Sequence, residues 1–140
     1  MMVLLINCLV VAIVVMIHYE FLYRFTQLIP IMKIRHRFRI LASVFSALIA
    51  HALEICVFGL AYYFFHHSSE LGYLSGNFNG SVMDSIYYSF TTFTTLGIGD
   101  IQPFGHIRYL TGLESLTGLV LITWTASFLY FEMQRYWNEK

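Results

Sequence analysis

Charge is scarce in this sequence. Only 11% of its 140 residues are Asp, Glu, Lys or Arg, eight of each sign, and the formal net charge is zero. No basic run marks a soluble segment, which argues against nucleic acid as a partner. Cysteine is nearly absent too. Cys8 and Cys56 both fall inside apolar stretches, so neither a disulfide framework nor a metal knuckle is expected, and both read as small buried hydrophobes. No nucleophile, base and orienting group cluster together along the chain, so no enzyme and no cofactor is expected.

What is abundant is grease: 58% of the residues are hydrophobic and 18% aromatic, well outside the range of soluble domains. Three segments are long enough to cross a hydrocarbon core of ~30 Å, which takes ~20 helical residues. They run from about Met2 to Phe25, Ile40 to Phe65 and Ile107 to Tyr136. The first has no Lys or Arg ahead of its apolar run and no small-x-small site after it, so it is a retained helix rather than a leader. Between the first two lies "IPIMKIRHRFR", with Lys33, Arg35, Arg37 and Arg39. By the positive-inside rule this short loop is cytoplasmic, which puts the amino terminus outside and the carboxyl end, with Arg135 and Lys140, inside. Arg108 alone among the basic residues is assigned to the outer side, where Glu70, Asp84 and Asp100 gather. Tyr62, Tyr63, Phe64 and Phe65, and Tyr136 and Trp137, fall at span ends and are expected as interfacial anchors. The localisation expected from this pattern is a multi-pass protein of the plasma membrane, or of the inner membrane in a bacterium.

The connection between the second and third segments divides in two. "HHSSELGYLSGNFNG" reads as an exposed turret, rich in Ser, Gly and Asn. Its paired His66 and His67 point to different faces and read as interfacial decoration. Ser81 and Asp84 then form a helix-start signal, and "VMDSIYYSFTTF" continues for about three turns, too short to span. After it comes "TTFTTLGIGDIQP", polar backbone between two spans. Irregular backbone at membrane depth is tolerated only where it is buried in protein or lines a water-filled cavity. Gly97 and Gly99 permit positive φ at alternate positions, so successive carbonyls can turn toward one axis while Leu96 and Ile98 pack outward.

Thr94, Thr95, Leu96, Gly97, Ile98, Gly99 and Asp100 resemble the filter of the potassium channel pore-domain family, usually written TTVGYGD. The resemblance covers about residues 40 to 137, in the order helix, pore loop, helix; the first helix lies outside it. It implies an all-α membrane protein with three transmembrane helices per chain and a re-entrant pore helix, assembled as a fourfold homotetramer. Residues 1–39 become an N-terminal helix and basic loop. Residues 40–140 become the pore domain: outer helix 40–65, turret 66–80, pore helix 81–93, filter 94–100 and inner helix 107–136. The carbonyls of Thr95, Leu96, Gly97 and Ile98 and the Thr95 hydroxyl then bind K+, with Thr94 and Gly99 in support and Asp100 at the outer mouth. The partners implied are K+, membrane lipids and identical subunits.

Ile98 is the clearest departure, because it removes a tyrosine hydroxyl that typical members bond to aromatic residues on the pore helix. Helix one carries no arginine repeat, does not resemble a voltage sensor, and reads as a lipid-facing packing helix. With few residues beyond the third span, no regulatory domain is expected there. Alignment from Pro103 and Arg108 places Gly118 near the family's hinge glycine, or else at a close-packing site between helices. Leu119, Ile122, Ala126 and Tyr130 share a helical stripe that reads as cavity-facing or as ordinary packing. His51, Glu54 and Glu114 fall within spans, where a charge costs ~2.5 to 3.5 kcal/mol, and so need partners. A structural network is expected, Glu114 bonding the pore helix near Thr91 or Thr92 and Glu54 pairing with His51 or a neighbouring helix; a proton-responsive gate is the rival. Two other functions stay open beside a K+ channel. They are a non-selective cation channel and a small accessory membrane subunit with a vestigial filter loop.

Overall fold

The computed structural model describes residues 2–31, 35–68 and 70–137. Lys33 and Lys140, and the side chains of Arg37, Tyr136 and Trp137, lie outside the described residues. The chain is mostly helical: α1 (Met2–Leu28) with a single 3-10 turn at Ile29–Ile31, α2 (His36–His67), α3 (Val82–Phe93) and α4 (Ile107–Trp137). Stretches of α1, α2 and α4, namely Met2–Leu28, Phe38–His67 and Ile107–Arg135, are long and apolar enough to cross a membrane. At 12 residues α3 reaches only ~18 Å and is not.

Each helix contributes one stripe to the interior and leaves the rest of its apolar surface outside, as expected where lipid rather than water is the solvent. On α1 the buried residues are Asn7, Val14, His18 and Leu22, spaced along a single face. Two of those four are polar, which corrects the expectation of a bland packing helix. Phe58, Tyr62, Phe93, Leu110 and Leu121 form the fully buried centre where α2, α3 and α4 meet. Gly59 allows this contact. A β-carbon there would lie 2.8 Å from Ile86 Cα, so only glycine lets α3 seat against α2.

Tyr62 and Phe65 are buried, whereas Phe64 is exposed. The cluster expected at the interface is therefore split by the helical period, and half of it is core. Cys8 is exposed and Cys56 half-buried, so neither is the buried hydrophobe that the sequence implied.

The all-α expectation also needs one correction. In the turret, β1 (Tyr73–Gly76) pairs antiparallel with β2 (Ile101–Phe104), which follows the Thr94 to Asp100 loop, in the register Tyr73 with Phe104 and Gly76 with Ile101. Stacked rings of Tyr73 and Phe104, 5.3 Å apart, close one end. At the other, the Asn77 N–H donates to the Asp100 carbonyl at 2.9 Å. Strands of four residues carry no legible period, and Pro103 reads against a strand, although a two-stranded ribbon is all edge and tolerates it. His66 Nδ1 accepts from the Leu74 N–H at 3.1 Å and His67 Nδ1 donates to the Tyr63 carbonyl at 2.8 Å. His66 thus anchors the end of α2 to the ribbon, beyond mere decoration, whereas His67 bonds back to its own helix.

Candidate functional site

The start and end of α3 explain how a polar loop is held between two spans. At its start Ser81 Oγ accepts from the Asp84 N–H at 3.0 Å, and the Asp84 carboxylate accepts from the Asn79 N–H at 2.8 Å. The aspartate thus ties the helix to the turret rather than closing a reciprocal capping box. At the other end the loop folds back on the last turn: Thr94, Thr95 and Gly97 donate backbone N–H groups to Phe90, Thr92 and Thr91 carbonyls at 3.2, 3.0 and 3.1 Å. Carbonyls that a helix terminus would leave orphaned are thereby used to shape the filter-like segment.

In that segment Thr95, Gly97 and Gly99 take φ of 57, 55 and 85°, while Leu96 and Ile98 between them stay out of the positive-φ region. Alternation of this kind turns consecutive carbonyls to the same side, where a β-strand would send them to opposite sides. Glycine bears this without a Cβ penalty; Thr95 does not. The threonine's conformation was not legible from residue type. It is the single described non-glycine residue with positive φ. A pocket of about 250 Å³ behind the loop is lined by Thr92, Thr95, Gly97, Gly99, Thr111 and Ser115 among others. Leu96 and Ile98 face away from this scaffold, 67% and 56% exposed.

Asp100 does more than carry charge. Its Oδ2 accepts from the Tyr87 hydroxyl at 3.0 Å, bracing the end of the loop against α3, and this bond raises the phenol pKa above its usual value. Tyr87 lies on α3 and is 39% exposed. The brace it makes to Asp100 is the kind of tie that Ile98 cannot supply.

Behind the loop, α2, α3 and α4 share a buried polar knot. The Glu114 carboxyl lies 2.5 Å from the Ser89 hydroxyl oxygen and accepts from the Tyr62 hydroxyl at 2.5 Å. The partner on α3 is therefore Ser89, two to three residues before the expected Thr91 or Thr92, which are occupied with their own helix and with the loop. Ser89 Oγ also reaches the Ile55 carbonyl at 2.9 Å, and Tyr88 meets Thr111 Oγ1 at 3.0 Å. Nearby, a Cβ on Gly118 would collide with the Phe93 carbonyl. That contact makes Gly118 a close-approach site of α4 on the end of α3. An alanine there should destabilise the protein by ~1 to 3 kcal/mol through overpacking, whereas a glycine serving only as a hinge would gain up to ~1 kcal/mol from alanine's helix propensity. Thermal unfolding in detergent reads the sign.

His51 and Glu54 form a second cluster apart from Glu114, in which Glu54 pairs with His51, as expected, and also with a neighbouring helix. Glu54 Oε1 lies 2.8 Å from His18 Nδ1 and Oε2 lies 2.9 Å from His51 Nδ1. His51 Nε2 meets Thr125 Oγ1 at 3.0 Å. The set joins α1, α2 and α4. His18 was missed because α1 was read by its average apolarity; a histidine alone in a span is itself a signal. Farther along α4, Leu119, Ile122, Ala126 and Tyr130 are all exposed, on the face opposite buried Leu121 and Thr125.

A family model described as an ion channel matches residues 50–134, from the middle of α2 to near the end of α4. The comparisons with curated proteins and with solved structures yield no match.

Proposed function

Because this chain belongs to that ion channel family, we propose that four copies of it assemble around an axis as a potassium-selective pore in a plasma or bacterial inner membrane. Residues 40–140 build the pore and residues 1–39 add an outer helix with its cytoplasmic loop. The amino end lies outside and the carboxyl end inside, an orientation that rests on the basic residues between α1 and α2.

The observation that carries this reading is the alternating left-handed backbone at Thr95, Gly97 and Gly99. Repeated four times about an axis, it presents rings of carbonyl oxygen from Thr95, Leu96, Gly97 and Ile98 that replace the hydration shell of K+. The exposed side chains of Leu96 and Ile98 then find their packing on adjacent subunits. Thr94 and Gly99 frame the filter, and Asp100 lies at the outer mouth. The exposed stripe of Leu119, Ile122, Ala126 and Tyr130 lines the inner cavity, toward which the carboxyl end of α3 directs its partial negative charge. Purified protein in liposomes tests the whole: K+ flux without Na+ flux is expected. Flux of both ions makes it a non-selective cation channel, and flux of neither makes it an accessory subunit.

A graded expectation attaches to Ile98. Lacking a hydroxyl, it forgoes a hydrogen bond worth ~0.5 to 1.5 kcal/mol per subunit in holding the filter wall. Selectivity for K+ over Na+ is therefore expected to be weaker, or more dependent on K+ concentration, than with tyrosine in that place, and Ile98→Tyr should strengthen it. Bi-ionic reversal potentials of both proteins measure this. Equal values would show that the missing hydroxyl is immaterial.

A further inference from the structure

Helix α1 lies wholly outside the family match, yet it places one fully buried histidine against the channel unit. We propose that His18, His51 and Glu54 form a transition-metal site of the zinc class, joining α1 to α2 inside the membrane. Their donor atoms, one from each residue, lie within 4.8 Å of one another. Two imidazole nitrogens and one carboxylate oxygen are a donor set that Zn2+ takes readily, with one position left for water. The placement also follows the way helical bundles build metal sites. His51 and Glu54 stand at i, i+3 on one helix and both project inward to meet a ligand from a facing helix.

Binding needs only small rearrangements. The separations of 2.8 and 2.9 Å between Glu54 oxygens and the two Nδ1 atoms are hydrogen bonds, and the metal takes their place. With the metal on each Nδ1, the ring proton sits on Nε2. On His51 that proton finds Thr125 Oγ1 at 3.0 Å, the outer partner that metal-bound histidines use to fix their tautomer. On His18, Nε2 is buried without a hydrogen-bond partner among the described residues, and the ring packs against Trp124 at 5.1 Å between centroids. Its ring is therefore held by packing, with no other polar group competing for it. Access runs past His51, whose side chain is 16% exposed, while His18 and Glu54 are closed off.

The test uses the full chain purified in detergent, stripped with a chelator and dialysed against Zn2+ or Co2+. About one metal per chain is expected by elemental analysis, with the visible d–d absorption of low-coordinate Co2+. Affinity should fall at least about tenfold in His18→Gln and His51→Gln. Thr125→Val, which removes only the outer partner, should weaken binding by about 10-fold. His18→Gln preserves a donor to Glu54, so it separates loss of metal from loss of fold, as does thermal unfolding of each variant without metal. The double variant His66→Gln, His67→Gln should bind as the unaltered protein does. Zn2+ should raise the melting temperature of the unaltered protein and leave that of His18→Gln unchanged. No stoichiometric metal in the folded protein, or binding that survives His18→Gln and His51→Gln, or binding that disappears with the His66 and His67 pair, overturns the site.

Discussion

Gly97→Ala should abolish K+ flux, or reduce it to a trace, while the helices remain folded. Nothing lies within 4 Å of where its β-carbon would go, so the effect does not come from crowding within the chain. It comes from the backbone, since φ is +55° at Gly97 and a left-handed conformation costs an L-residue ~1 to 2 kcal/mol. In four copies acting together that becomes ~4 to 8 kcal/mol against the conducting arrangement, about three powers of ten or more in its population. The packing among α2, α3 and α4 does not involve this residue, so circular dichroism and the size of the detergent complex should be unchanged. Ordinary K+ flux from the variant in liposomes would remove the filter assignment.

What the sequence revealed and what it hid divide along physical lines. Long apolar runs and glycines at alternate positions are one-dimensional signals, and three span-length helices with a shorter one between the second and third are what the chain forms. Partnerships were less legible. Ser89 and Tyr62 meet Glu114 across 25 and 52 residues of sequence, and His18 meets Glu54 across 36; no local pattern encodes such distances. The same limit hid the ribbon, whose strands are separated by all of α3 and the Thr94 to Asp100 loop. In Tyr62 and Phe65, position along the helix suggested an interface, but the side of the helix decided burial. Thr95 is a further case. Its positive φ accompanies the backbone hydrogen bonds that Thr94, Thr95 and Gly97 make to the end of α3, against its own preference.

Glu114 should tolerate glutamine and not alanine, and the reason is an inventory of hydroxyl protons. Ser89 has one, yet its oxygen lies within hydrogen-bond distance of two acceptors, the Ile55 carbonyl and Glu114 Oε1. Tyr62 spends its proton on Oε2. Every bond in this set is satisfied at once if Glu114 carries a proton and donates it to Ser89 Oγ, leaving Ser89 to donate to Ile55. A glutamine reproduces that pattern, its amide donating to Ser89 and its carbonyl accepting from Tyr62, in nearly the same volume. Glu114→Gln should therefore hold melting temperature and K+ flux close to the unaltered protein. Glu114→Ala instead leaves the fully buried Tyr62 hydroxyl without its carboxyl acceptor and a void behind the loop, for a loss of ~1 to 3 kcal/mol per stranded group. Because Ser89 belongs to α3, whose last carbonyls shape the Thr94 to Gly97 backbone, that loss should appear as reduced flux as well as reduced stability. Thermal unfolding and liposome flux of the two variants decide the matter. If glutamine proves as damaging as alanine, the knot depends on a charged carboxylate, and the proton assigned to Glu114 is not there.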